Sequence, residues 1–115
     1  MNDFSGRVAV VTGGASGVGK CLCADLARAG AHVVIADIDP VRLEAVRAEI
    51  DALGSGDVIA IACDVTKEAS VRALADQVFE RFGTVHLLFN NAGVGLGEAQ
   101  RKIWTLPLSD WRWGI

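Results

Sequence analysis

The sequence predicts an α/β fold, a doubly wound parallel sheet with helices on both faces. Three observations carry that expectation. Four short apolar runs alternate with amphipathic stretches along the chain. The runs are continuous in Val, Ile, Leu and Ala, without polar residues at every second position, as strands buried on both faces require. A glycine cluster, Thr12-Gly13-Gly14-Ala15-Ser16-Gly17-Val18-Gly19, joins the first run directly to the first amphipathic stretch.

The elements follow in order. The first strand is read from about Arg7 to Thr12, and the second as His32-Val33-Val34-Ile35-Ala36, closed by Asp37. The third is Val58-Ile59-Ala60-Ile61-Ala62, and the fourth Val85-His86-Leu87-Leu88-Phe89. Val18, Leu22, Leu26 and Ala29 recur at helical spacing after the glycines. Leu43, Val46, Ile50 and Leu53 define a second helix, and Val71, Leu74, Val78 and Phe82 a third. Asp39 before Pro40 reads as an N-cap with proline at the first helical position. Thr66 is read as the cap of the third helix, and Gly30, Gly54 and Gly83 stand where the helices should stop. The first crossover, from Gly13 to Ala31, has the length a parallel connection needs. The expected sheet order is 3-2-1-4.

Composition bounds the possibilities. The 115 residues are 51% hydrophobic and 22% charged, a globular balance that fits one domain. A net charge of −3 advertises no basic surface, so neither nucleic acid nor an anionic membrane is an expected partner. No apolar run reaches the roughly 18–20 residues that span a bilayer. The start, Met1-Asn2-Asp3-Phe4-Ser5-Gly6, lacks the basic and apolar regions of a signal peptide, so a cytoplasmic location is expected. The three cysteines, Cys21, Cys23 and Cys63, cannot all pair and show no zinc-ligand spacing. They read as reduced packing thiols, and no metal site is expected. His32 and His86 flank strands and read as structural. Trp104, Trp111 and Trp113 form the one aromatic cluster, after regular alternation ends at Gly93.

Strand, glycine turn and helix occur in the order of a Rossmann-like dinucleotide site. Glycine permits the sharp turn and lets a pyrophosphate approach the backbone, while the helix start offers N–H donors and a positive dipole end. Asp37 ends the second strand 18 positions after Gly19. A carboxylate there accepts both hydroxyls of an adenosine ribose and repels a 2′-phosphate, which favours NAD over NADP. The alternative is a helix cap, a role Asp39 can also take. Asp64 ends the third strand beside the same crevice, as an acceptor for an adenine amino group or as a turn residue. Asn90-Asn91-Ala92-Gly93 ends the fourth strand, where asparagine braces irregular backbone or contacts a ligand.

These residues together resemble the short-chain dehydrogenase/reductase superfamily. The glycine spacing is G-x-x-x-G-x-G (Gly13, Gly17, Gly19) after Thr12, Asp64-Val65 matches an Asp-Val pair, and Asn90 to Gly93 is an N-N-A-G motif. The resemblance runs from Arg7 to about Trp111. It implies that Gly13, Ser16, Gly17, Val18 and Gly19 line the pyrophosphate, Asp37 takes the ribose, and Asp64 with Val65 takes the adenine. Asn90, Ala92 and Gly93 would lie along the cofactor toward the nicotinamide ribose, with Asn91 structural.

The family's catalytic set is a Tyr-x-x-x-Lys pair, an upstream serine and an asparagine beyond a tryptophan like Trp111. This chain has no tyrosine and no asparagine after Asn91, and Ser109 precedes Trp111. The expectation is therefore a truncated NAD-binding domain, residues 1–115, with a cofactor half-site over 1–93 and an irregular segment over 94–115. It would hold about four of the family's seven strands with three helices. It would belong to an oxidoreductase acting on an alcohol or carbonyl group of unread identity, and would be inactive alone. Full-length relatives are homo-oligomeric by the same resemblance, and an uncovered fourth strand would make this chain prone to association. Two other readings stand beside it: a non-catalytic nucleotide-binding or regulatory fragment, and a methyltransferase fragment binding S-adenosylmethionine. The N-N-A-G motif and the glycine spacing argue against the last.

Overall fold

The computed structural model describes residues 4–91. Within them the order is β1 (Val8–Thr12), α1 (Gly17–Arg28), β2 (His32–Asp37), α2 (Pro40–Asp51), β3 (Val58–Ala62), α3 (Glu68–Phe82) and β4 (Leu87–Asn90). The strands form one sheet in the order β3-β2-β1-β4. All three pairings are parallel. The order 3-2-1-4 expected from the sequence is the order found.

Each strand divides its side chains between two cores, which is why the runs are apolar at every position. Val8 and Val10 of β1, with Val34 and Ala36 of β2, pack against Val71, Leu74, Ala75 and Val78 of α3. Ala9 and Val11, with Val33 and Ile35, face the opposite way, against Cys23, Leu26 and Ala27 of α1 and Leu43, Val46 and Ile50 of α2. All five residues of β1 are buried. β4 is less enclosed: Leu87, Leu88 and Phe89 are half-buried.

The structure corrects several local expectations. Val18, the first apolar residue of the helical spacing read for α1, is 75% exposed. Gly19, Cys23, Leu26 and Ala27 form the buried face of that helix. The helix start packs so tightly against the Gly13 carbonyl of the turn that its inner position takes a glycine, while Val18 is exposed. Thr66 does not cap α3; Lys67 is the N-cap, and its side chain makes no capping bond. Gly30 and Gly83 follow α1 and α3 with φ of 95° and 77°. Gly54 does not share that role: a Cβ there would overlap the Ala27 carbonyl oxygen, so close packing holds the position. β4 begins at Leu87; before it, His86 meets β1 at Val8 alone, its N–H donating to the Val8 carbonyl and its ring Nδ1 accepting the Val8 N–H.

The strand registers place Thr12, Ala36, Ala62 and Asn90 at one end of the sheet. β2 lies on one side of β1 and β4 on the other, so the connections diverge there. Ligand sites of open parallel sheets form outside the carboxyl ends at such a point. Among the described residues no helix is long and apolar enough to cross a membrane.

Candidate functional site

The glycine turn forms the floor. Between β1 and α1 the backbone takes φ of 66° at Gly13 and 58° at Gly17, a region that side chains disfavour. The N–H groups of Gly13 and Gly14 donate to the Ala36 carbonyl at 2.7 and 3.2 Å, fastening the turn to the end of β2. Ser16 is the N-cap of α1, yet its side chain makes no capping hydrogen bond. The first-turn N–H groups of α1 have no intrahelical acceptor, and the positive end of the helix dipole lies there. Gly19 is buried beneath the turn, where a Cβ would overlap the Gly13 carbonyl oxygen.

Two carboxylates stand at the ends of β2 and β3. Asp37 is not the helix cap: Asp39 takes that role, accepting from the N–H groups of Val41 and Arg42 at 3.0 and 3.2 Å. Asp37 instead accepts from Ala15 N–H at 3.1 Å through Oδ2 and from Ile38 N–H at 2.7 Å through Oδ1. It thereby holds the glycine turn and the start of the next loop together. Asp64 accepts twice at Oδ1, from Thr66 Oγ1 at 2.6 Å and from Thr66 N–H at 2.9 Å. The Thr66 hydroxyl, and then its backbone N–H, lower the Asp64 carboxyl below its ordinary value, so it is an anion at neutral pH.

The end of β4 is braced to the turn. Asn91 donates its N–H to Thr12 Oγ1 at 3.0 Å and its side-chain Nδ2–H to the Gly13 carbonyl at 3.4 Å. Thr12 Oγ1 donates in turn to the Phe89 carbonyl at 3.3 Å. Asn90, the last residue of β4, is exposed. Ala92 and Gly93, the segment 94–115 and its three tryptophans lie outside the described residues.

These ends open into one cleft of about 470 Å³, within the usual range for small-molecule sites. Gly13, Ser16, Gly17 and Val18 line one wall, Asp37 and Ile38 the next, and Cys63, Asp64, Val65 and Thr66 the third, with Asn91 at the back. Gly19 lies below the cleft and shapes it; Asn90 is outside it. Backbone donors at a helix start suit an anion. Carboxylates on either side suit hydroxyl or amino donors. That set fits an adenosine diphosphate moiety, the shared half of nicotinamide dinucleotides, and the absent Cβ of Gly19 lets the Gly13 carbonyl pack directly on the helix start below it. Sequence reading assigned Thr66 to a helix cap and missed it in the cleft wall. The available signal was a threonine two positions after an aspartate at a strand end, the pattern of a side-chain-closed turn.

Known proteins share this arrangement. The sequence model of the short chain dehydrogenase family matches residues 7–113. The chain is 40% identical over 113 residues to the CLA biosynthesis dehydrogenase/reductase of Lactiplantibacillus plantarum, covering 98% of this chain and 38% of that protein. It is 45% identical over 106 residues to the 1-deoxy-11-beta-hydroxypentalenate dehydrogenase of Streptomyces exfoliatus, covering 92% and 38%. Among solved structures, a short chain dehydrogenase/reductase from Burkholderia phymatum in complex with NAD aligns with a TM-score of 0.76 at 46% identity, over 84% of this chain and 34% of that one. A metagenomic short-chain oxidoreductase in complex with NADP aligns with a TM-score of 0.75 at 41% identity, over 80% and 41%. Both dinucleotides thus occur among these neighbours. The chain spans little more than a third of the length of the curated relatives named above. It belongs to the short-chain dehydrogenase family.

Proposed function

We propose that this chain is the cofactor-binding portion of a nicotinamide-dependent oxidoreductase and that it takes NAD in preference to NADP. The pyrophosphate lies against Gly13, Ser16, Gly17, Val18 and the first turn of α1, over Gly19. Asp37 accepts from the adenosine ribose, and Asp64 and Val65 hold the adenine. Asn90, Ala92 and Gly93 extend the site toward the nicotinamide ribose. When bound, the cofactor gives or accepts a hydride at an alcohol or carbonyl carbon. The chain's own residues bind and orient it. Three unpaired cysteines, two of them buried, accord with a reducing cytoplasmic setting.

The observation that carries the reading is Asp37. Its carboxylate lines the same cleft as the glycine turn and is released from capping by Asp39. A 2′-phosphate beside it would meet a negative charge, and Ser16 and Ile38, the neighbouring wall residues, supply no compensating cation. The test is titration of NAD and NADP by tryptophan fluorescence. NAD should bind tighter to the parent chain, and Asp37→Asn with Ile38→Arg should invert the order, the amide oxygen keeping an acceptor for Ala15 N–H. Tighter NADP binding by the parent would overturn the preference.

Turnover is not expected of the 115-residue chain by itself. A positioned general acid supplies about 10²–10⁴-fold in rate, and the sequence offers no tyrosine for that role. NADH oxidation by the purified chain with a panel of ketones, with the alcohol product verified by mass, would contradict this. Association through the half-buried β4 is part of the same reading. A sharp monomer at 12.1 kDa by light scattering would refute that part.

A further inference from the structure

The wall formed after β3 contains two hydroxyl groups that act on one residue, Asp64, one at its carboxylate and one at its backbone. Thr66 donates both its hydroxyl and its backbone N–H to Oδ1 of Asp64, at 2.6 and 2.9 Å. From the first turn of α3, Ser70 Oγ accepts the backbone N–H of Asp64 at 2.9 Å. The Ser70 carbonyl accepts from the buried thiol of Cys63 at 3.7 Å, which ties that turn to the strand end. Asp64 is thus fixed at its backbone by Ser70 and at its side chain by Thr66. Both side-chain bonds converge on one oxygen. Among the described residues Oδ2 accepts none.

We infer that Thr66 is a positioning residue for base selection: by occupying Oδ1 it holds the Asp64 carboxylate in one rotamer and leaves Oδ2 as the acceptor that selects a 6-amino purine. This rests on the dinucleotide reading above. An ionised carboxylate is an acceptor only. The 6-amino group of adenine donates to it, whereas the 6-oxo group of hypoxanthine presents a lone pair and is repelled. The lowered titration of Asp64 keeps it ionised across the neutral range, so the selection does not fade there. Without the Thr66 hydroxyl, the carboxylate can rotate or take its second bond from solvent, and the site loses its power to reject the oxo base before it loses the ability to bind.

The experiment compares NAD with nicotinamide hypoxanthine dinucleotide, in which a 6-oxo group replaces the 6-amino group and N1 carries a proton. Dissociation constants come from tryptophan fluorescence and calorimetry on the full 115-residue chain. The parent should prefer NAD by about tenfold or more, as expected for a hydrogen bond to a charged group. Thr66→Val, nearly isosteric, should cut the preference to within about threefold, mainly by weakening NAD binding. Thr66→Ser keeps the hydroxyl and should restore the preference, which a merely structural threonine would not require. Thr66→Ala serves in place of Thr66→Val if the latter does not fold. An undiminished preference in Thr66→Val or Thr66→Ala, with NAD still bound, would overturn the inference and leave the dinucleotide reading intact. Parent chain that binds neither dinucleotide would overturn both.

Discussion

The two ends of the sheet treat polar groups in opposite ways. At the amino end, His86 Nδ1 accepts from Val8 N–H at 2.9 Å, and His32 Nδ1 accepts from Asp57 N–H at 2.9 Å. The His32 ring stacks on Phe82 with centroids 5.3 Å apart. Arg81 pairs with Asp57 at 3.4 Å and lies 5.5 Å from the Phe82 ring centroid. Each group there is answered by another group of the chain. At the carboxyl end, Ser16 leaves α1 without a side-chain cap and Asp64 keeps an oxygen free of described partners. Buried and half-buried polar groups are normally satisfied within the fold. Groups left without such a partner at the carboxyl end, Ser16 Oγ at the start of α1 and Asp64 Oδ2, stay available to a ligand.

The largest expected effect lies where the two requirements meet. Gly19→Ala places a Cβ into the Gly13 carbonyl oxygen, a backbone atom of a turn fastened to β2 by its N–H groups. Overpacking of this kind costs about 3 kcal/mol or more when the backbone cannot yield. Urea unfolding should show a large fall in midpoint, and NAD binding should be lost. Gly17→Ala, where a Cβ meets nothing within 4 Å, is the companion variant. Its cost should be smaller, about 1 kcal/mol, from the φ of 58° alone. Equal costs for the two would show that conformation, not close approach, governs the turn.

The next effect belongs to the amino end. His86→Ala removes the acceptor of Val8 N–H, on a residue only 3% exposed. Leaving a buried N–H without a partner costs about 1–2 kcal/mol. Stability should fall by that amount while NAD affinity stays within about twofold of the parent. A matching loss of affinity would mean that the ends are coupled and the division of labour is wrong.

A third effect tests the floor of the site through pH. Cys23 is fully buried under the glycine turn, where a Cβ on Gly14 would lie 3.0 Å from its sulfur. Burial pushes its thiol up from an ordinary 9.0 to about 12. The folded state therefore keeps the proton to higher pH than the unfolded state does. The stabilisation is whole below about pH 9 and is lost as pH rises toward 12. Between pH 8 and pH 10 the parent should lose about 1 kcal/mol more than Cys23→Ala, since one pKa unit is worth about 1.4 kcal/mol. Parallel pH profiles for the two chains would contradict it.

What could be read in the sequence divides along the same line. The strands were legible because Val8–Thr12 and His32–Asp37 are packed on both faces, and nothing but an apolar run can occupy such a position. Topology followed from the alternation of elements and the crossover lengths. Local roles at the carboxyl end were harder. Helical spacing alone starts the apolar pattern of α1 at Val18, whereas the buried position there is Gly19, packed against the Gly13 carbonyl of the turn. Thr66 was misread as a cap because a hydroxyl before a helix satisfies either a backbone N–H or a nearby carboxylate, and one-dimensional spacing does not distinguish them. Gly54 likewise sits where a helix stop is expected, yet its constraint comes from Ala27, a residue of another helix. From spacing alone either Asp37 or Asp39 can cap α2; the structure gives the cap to Asp39.

The smallest expected effect is the most direct check on the separation of the two ends. Arg81 and Asp57 are both more than half exposed as side chains, at 52% and 58%. Exposed ion pairs contribute between about 0 and 1 kcal/mol, and salt screens them. The guanidinium over Phe82 adds about 0.5–1 kcal/mol at such an exposed site. Arg81→Gln should therefore shift the unfolding midpoint barely beyond error at low salt and not at all near 0.5 M, where the Debye length is only about 4 Å. The cleft is lined from the opposite end of the strands, so NAD affinity should not respond at either salt concentration. Even a severalfold change in affinity from this substitution would demand a path from the rim of α3, through Phe82 and the sheet, to the glycine turn. The contacts at the amino end give no reason to expect one: they close on one another, His32 on Phe82 and Asp57 on Arg81, and do not continue along the strands.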